Sequence, residues 1–381
     1  MTDHPQPAEQ RKTSRVTQLD GLRGIAALVV VFSHLALTTS GLANAWLDRS
    51  AKLTPMQYGL VYSPLHLLWN GTAAVYVFFV LSGFVLVLPV AKAAGSTDWG
   101  SYYAKRLLRL YLPVWGSLVF ASLLLVVVPH VSAGAQTWWV QNVTVAWNPL
   151  SVAHDGVLLL PTGLTNAPLW SLRWEVVFSL LLPLYALFAL RLRRLWPAKV
   201  VIVLVAVFLG GLLSQEWLFY LPIFALGAFI AVEHQAIVAL AKKTPRAISI
   251  GLAIVAILTL NAVWFSRAQI PGTGAIPAVG AGLAVMLFVA WPPAIRLGNL
   301  TVSRWLGRVS FSLYLVHYPI VLASAWLLRP VSPYLSVFAG LVLALVFAEV
   351  FYRFVERPAH KLAIAAGQRV RRGAAPVNLP R

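Results

Sequence analysis

The 381-residue chain contains no cysteine, and only 11% of its residues are charged, less than half of the ~25% usual in soluble proteins. The missing cysteines exclude disulfide frameworks, thiolate nucleophiles, lipidation on cysteine and Cys-ligated metal. The low charge excludes an ordinary soluble enzyme. Acidic residues are especially scarce: 11 Asp and Glu face 30 Lys and Arg, for a formal charge of +19. In a soluble protein that surplus would point to nucleic acid; here the positions of the charges carry the information. No P-loop and no dinucleotide-binding glycine fingerprint occurs, since Gly272-Thr273-Gly274 lacks the third glycine, which argues against ATP or NAD as a direct cofactor. There is no HExxH metal site and no GxSxG nucleophile elbow. None of the eight histidines is followed five residues later by Asp, which disfavours the motif of the glycerol-type acyltransferases.

What is present is apolar: 59% of the chain, with fifteen tryptophans. Ten segments are long and apolar enough to span about 30 Å of hydrocarbon: 22–40, 72–91, 107–128, 168–190, 199–214, 216–233, 247–265, 275–292, 309–328 and 334–354. The fifth and sixth, divided only by Gln215 and Glu216, read as a tight hairpin or a broken pair. Basic residues stay on the cytoplasmic side of a membrane. With ten spans, 25 Lys and Arg fall on one side and four (Arg49, Lys52, Arg267 and Arg329) on the other, with Arg173 inside a span. The expected architecture is therefore an all-α polytopic membrane protein of about ten transmembrane helices, both termini cytoplasmic, in the plasma or inner membrane. A cytoplasmic arm (1–18) precedes one membrane domain (19–361), and a cytoplasmic tail (362–381) follows; arm and tail are polar and read as disordered. The start of the chain has the look of a signal peptide with Ala43-Asn44-Ala45 as cleavage site, but an uncleaved first span keeps Arg23 and His34. No internal repeat is visible. Of the long outward connections, 41–71 and 129–167, the second carries Trp138, Trp139 and Trp147, fit for the outer interface, for a re-entrant cover or for sugar rings.

Ionisable groups inside spans are costly, so each is a candidate functional residue. Arg23 and His34 are eleven residues apart, close to three turns, on one face of the first span and about 16 Å apart along it. Imidazole can take and return a proton near neutral pH, so His34 is a candidate general base, or a hydrogen-bonded tether between helices. Arg106 and Arg109 can address one anion together, as guanidinium groups do with phosphates; membrane anchoring is the plainer reading. Glu175 lies inside the fourth span, shares a face with Ser171 and points away from Arg173; a histidine of another span is its expected partner, with a helix tether as the alternative. Ser310, Tyr314 and His317 form a polar stripe on the ninth span, and Ser82-Gly83 interrupts the second, for close packing or for ligand space. Glu349 and Glu356 read as structural, and His154-Asp155 as a lone, solvated outer-loop pair.

These motifs in order resemble the acyltransferase-3 family of membrane O-acyltransferases, which modify surface glycans and secreted small molecules. Leu19-Asp20-Gly21-Leu22-Arg23-Gly24 followed by His34 is similar to its N-terminal signature, an Arg and a His separated by ten residues. Phe79-Val80-Leu81-Ser82-Gly83-Phe84, Arg106-Leu107-Leu108-Arg109, Trp170-Ser171-Leu172 with Glu175, Leu306-Gly307-Arg308 through His317, and Glu356-Arg357-Pro358 follow in register. The resemblance covers about 18–360. Two departures stand out: Val176, Val177, Phe178 and Ser179 replace a further acidic residue and Phe-Tyr, and the chain stops at 381, without the fused hydrolase-like domain of some relatives.

The resemblance implies transfer of an acyl group, typically acetyl, from cytoplasmic acyl-CoA to a hydroxyl of an extracytoplasmic carbohydrate or glycosylated small molecule, directly or through a separate partner. No metal and no nucleic acid is expected, and the bilayer is the setting. In this reading Arg106 and Arg109 hold the CoA phosphates, and the thioester reaches up a pore to His34, the general base. Arg23 orients the donor, Glu175 holds His34 or the acceptor, and Ser82, Tyr314 and His317 line the substrate cavity. The alternatives are a proton-coupled transporter with His34, Glu175 and His317 as relay, and a non-catalytic scaffold.

Overall fold

The computed structural model describes residues 16–93, 95–129, 136–142, 147–265 and 270–373. Most of the arm and residues 374–381 of the tail lie outside them, as does Arg267. Every described element is helical. The main helices are α1 (Thr17–Leu37), α2 (Gly71–Lys92), α3 (Trp99–Val127), α4 (Leu169–Leu180), α5 (Leu182–Leu190), α6 (Trp196–Leu212), α7 (Glu216–Val232), α8 (Arg246–Asn261), α9 (Ala275–Ala290), α10 (Thr301–Leu328), α11 (Pro333–Phe351) and α12 (Arg357–Gly373). All ten apolar segments fall on helices. Among the described residues seven helices are long and apolar enough to cross a membrane, or up to ten if each of three bent pairs counts as one span. The molecule is a multi-pass membrane protein.

α10 sits at the centre, buried along most of its length, with α1 and α11 packed against it. α1 also packs on α2, α2 on α7, and α3 on α12. Glycines permit the closest of these approaches. A Cβ on Gly24 would lie 2.3 Å from the backbone of Gly307, and one on Gly83 would lie 2.0 Å from the carbonyl of Phe224. In Ser82-Gly83 the glycine therefore serves packing, while the serine faces a cavity.

Two breaks shape the interior. α4 and α5 meet at 64°, because Pro183 has no N–H to continue the ladder. The carbonyls exposed at the break are taken by α3, where Tyr102 and Tyr103 donate their hydroxyls to Ser179 and Leu180 at 3.2 and 2.9 Å. The second is a π-helical turn, Tyr352–Glu356, between α11 and α12. Such turns recur at functional sites. Beyond it, helix continues to Gly373, where a disordered tail was expected from 362. Ala359 and Ala363 are buried, and Gly367 closes on the aliphatic stem of Lys105; this support from α3 cannot be read from the polar composition of 362–373. The fifth and sixth segments resolve as the separate helices α6 and α7, joined through Leu213–Gln215 with Ser214 left-handed (φ 53°). Ala43 and Ala45, the small residues of the signal-peptide-like pattern, are buried in a helix, Ser40–Leu47.

Candidate active site

One stripe of α1 lines two cavities. Val16, Leu19, Asp20 and Arg23 border the first, of about 600 Å³, and Val30, Ser33, His34 and Leu37 border the second, of about 180 Å³. In each set the spacing is i, i+3 or i+4, i+7, one helical face. Arg23 and His34 thus share a face, as their spacing requires, but open into different spaces. Tyr314 of α10 lines both cavities. Its hydroxyl donates to the Pro168 carbonyl at 3.0 Å and meets Ser171 Oγ at 2.6 Å.

His34 is backed by His317. His317 Nδ1 lies 2.9 Å from the Leu313 carbonyl, and its Nε2 lies 3.2 Å from His34 Nδ1. A carbonyl accepts only, so the proton of neutral His317 resides on Nδ1. Its Nε2 then accepts from His34 Nδ1–H, which also approaches the Val30 carbonyl at 3.1 Å. This assignment leaves His34 Nε2 as a free lone pair. Trp139 and Tyr318 pack on the His34 ring, with centroids 5.7 and 5.3 Å away. His317 is fully buried and lines neither cavity. Its expected place in the cavity wall is corrected to one behind His34, because α10 presents it toward α1.

The larger cavity holds the charges. Arg23, Lys92, Arg106 and Arg109 line it with Asp20, Glu175 and Glu356, beside Phe78, Phe79, Leu81 and Phe84. Arg106 donates Nη2 to Glu175 Oε1 and Nε to Ser179 Oγ at 3.0 Å, and Ser82 Oγ donates to Glu175 Oε1 at 3.2 Å. Glu175 is therefore the partner of Arg106 and Ser82. The expectation that it holds His34 is overturned: α4 ends at its break beside α3, which carries the arginines, while His34 opens on the other cavity. Arg23 is fixed by Ser310 Oγ at 2.9 Å, the Gly307 carbonyl at 3.0 Å and Asp20 at 3.5 Å. Glu356, read as structural, both accepts the Ser312 amide at 3.1 Å and lines this cavity. Arg109 lines the cavity near Glu175 and Glu356, and among the described residues no hydrogen bond holds its guanidinium. This space suits a ligand with an anionic end and an apolar arm.

The smaller cavity is aromatic. Trp46, Trp69, Trp170 and Trp264 line it with His34, His66, Asn70 and Thr72. None of these tryptophans except Trp170, within a quoted motif, was singled out from sequence, and neither was His66; no spacing links His66 and Trp69 to Trp264. Of the residues that were, Trp138 and Trp139 belong to a short helix, Trp138–Asn142, and Trp139 covers His34, while Trp147 is exposed. The connection 129–167 is thus a cover in part, though 130–135 and 143–146 are outside the described residues. Asp155, read as solvated, is fully buried. Its carboxylate accepts the amides of Gly163, Leu164, Thr165 and Asn166 at 2.7 to 3.3 Å, holding the segment that leads to Pro168. Arg173 pairs with Glu216 at 3.5 Å, and Glu349 with Arg308 and Arg353. Among the described residues no group of three His, Asp or Glu converges as metal ligands would.

The helical architecture and this site agree with a family assignment made from sequence. The acyltransferase-3 model, described as an acyltransferase domain, matches residues 16–353, and the chain belongs to that family. It is similar, at 24% identity over 374 residues, to the Bacillus subtilis (strain 168) protein named "Putative peptidoglycan O-acetyltransferase YrhL", covering 89% of this chain and 54% of that protein. It is also 24% identical over 383 residues to the peptidoglycan O-acetyltransferase OatA of Listeria monocytogenes serovar 1/2a, covering 91% of this chain and 56% of that one. The chain spans about half the length of these curated relatives. No solved structure matches it significantly.

Proposed function

We propose that the protein moves an acyl group, acetyl in the simplest case, from acyl-CoA at the cytoplasmic face of the cell membrane to a hydroxyl of an extracytoplasmic carbohydrate or glycosylated small molecule. The observation that carries this reading is the division of labour along α1: a cationic, partly apolar cavity at Arg23 and an aromatic cavity at His34, with Tyr314 between them. The O-acetyltransferase names of both relatives favour the same chemistry.

In this mechanism Arg109, Arg106 and Arg23 hold the donor phosphates, and the apolar wall takes the pantetheine arm. Glu175 and Ser82 keep Arg106 in place. The acceptor hydroxyl gives its proton to His34 Nε2, and its oxygen attacks the thioester carbonyl carbon. Collapse of the tetrahedral species breaks the C–S bond and completes the C–O ester. The proton passes from His34 to the departing thiolate, which leaves as free thiol. The continuous pore expected from sequence is replaced by a partition: the Tyr314 hydroxyl must leave Ser171 and Pro168 for the acyl group to reach His34.

The test uses membranes carrying the full chain, isotopically labelled acetyl-CoA at the cytoplasmic face, and mass spectrometry of host glycans and secreted small molecules. One acetyl unit is expected on an acceptor, falling about 10²- to 10⁴-fold in His34→Ala, while Arg109→Ala raises the KM for acetyl-CoA. Normal transfer by His34→Ala would overturn the mechanism.

A further inference from the structure

The smaller cavity makes the acceptor more specific than a carbohydrate in general. Its volume of about 180 Å³ equals roughly six waters at ~30 Å³ each, room for one hexose-sized ring. Among the described residues its lining holds two histidines and the Tyr314 phenol and no carboxylate, lysine or arginine. The nearby Arg49 guanidinium is turned onto the Trp264 ring at 4.5 Å and onto the Val263 carbonyl. No described lining side chain other than the histidines would pair directly with an anionic or cationic substituent.

The polar groups divide into engaged and available ones. The Asn70 amide donates to Leu260 O and Asn261 Oδ1 at 3.1 and 3.2 Å and accepts from Ala73 N–H. Trp69 Nε1 donates to the Leu60 carbonyl at 3.1 Å. Ser33 gives its proton to Val30 O and keeps its lone pairs. His66 is different. It is 1% exposed, packs against both Trp69 and Trp264 with ring centroids at 4.2 and 4.3 Å, and its Nδ1 has no hydrogen-bond partner. A buried polar atom left unpaired is costly and calls for an explanation. Burial and the charge of Arg49 push the His66 pKa down to about 3, so the ring is neutral at working pH and offers hydrogen bonding, not charge.

We propose that this cavity is a subsite for a single uncharged, hydroxyl-bearing ring of pyranose size, and that His66 is a specificity-determining residue that binds a hydroxyl other than the one presented to His34. The apolar C–H face of such a ring meets the tryptophans, and its hydroxyl rim meets Ser33, His34 and His66. Sugars carrying a carboxylate or an ammonium on that ring are excluded. That the bound ring is the acyl acceptor rests on the acyl-transfer reading; the preference for a neutral ring does not.

Ligand-observed saturation-transfer NMR on the full-length protein in detergent tests this without a donor. The probes are methyl glucopyranoside, methyl glucuronide and methyl glucosaminide. The glucopyranoside should bind at least about tenfold more tightly than either charged probe. His66→Phe keeps the ring contacts with Trp69 and Trp264 and removes the hydrogen bond, so it should weaken the neutral probe by roughly two- to tenfold. Equal binding of the glucuronide, absence of binding by the neutral probe, or full affinity in a folded His66→Phe protein would each overturn the inference. The charge comparison in the wild-type protein decides it even if His66→Phe does not fold. Neutral-ring binding without acetyl transfer would support the inference and count against the acyl-transfer reading. Transfer to envelope glycans with no charge preference in binding would do the reverse.

Discussion

At the scale of single residues the chemistry depends on which nitrogen of His34 carries a proton. The chain from the Leu313 carbonyl through His317 to His34 assigns it to Nδ1 and leaves Nε2 with the lone pair that the proposed mechanism uses as base. His317 is a positioning residue in this arrangement. Replacing it with Leu removes the acceptor for His34 Nδ1–H, and kcat should fall about ten- to hundredfold, a part of the whole general-base contribution. The KM for acetyl-CoA should stay unchanged, because the arginines proposed to hold the donor line another cavity, and His317→Gln, which retains an acceptor, should recover part of the rate. Steady-state kinetics with the acid limb of the kcat profile checks this. A parallel change in KM and protein yield would indicate a merely structural role.

Between helices, the decisive feature is how closely backbones approach. Gly24 against Gly307 and Gly83 against Phe224 leave no space for a methyl group. The first contact joins α1 to α10, and with them Arg23 to Ser310 and His34 to His317. Gly83→Ala should destabilise the protein by about 1–3 kcal/mol, the usual cost of overpacking, seen as a lower midpoint of thermal unfolding in detergent. Gly251→Ala, in α8 with nothing within 4 Å of the added carbon, should instead raise stability by roughly 0.5–1 kcal/mol through helix propensity. Equal effects at the two sites would mean that the α2–α7 contact is looser than described.

For the whole molecule, sidedness is what the proposed reaction needs: its donor cavity has to open to the cytoplasm and its acceptor cavity to the outside. A chain without cysteine suits single-Cys labelling. Met56 and Ser96 are both exposed. With both termini cytoplasmic, Met56→Cys should react with a membrane-impermeant maleimide on intact cells, and Ser96→Cys only after permeabilisation. The opposite pattern would invert the topology and remove the donor cavity from the cytoplasm.

Much of this was legible in the chain itself, because helical periodicity and membrane hydropathy are local. Apolar runs marked the helices, and an eleven-residue spacing placed Arg23 and His34 on one stripe. Six motifs in order identified the family, and Arg106 and Arg109 do border one space. What only the tertiary structure decided are contacts between residues far apart in sequence. Glu175 could have faced any helix until the break before Pro183 set it beside Arg106. His66, Trp69 and Trp264 carry no common spacing, yet helix packing stacks them in one wall. The division of the site by Tyr314 depends on where Asp155 holds the segment leading to Pro168. Periodicity specifies which face a side chain occupies; which neighbour meets that face is specified by the packing of all the helices together.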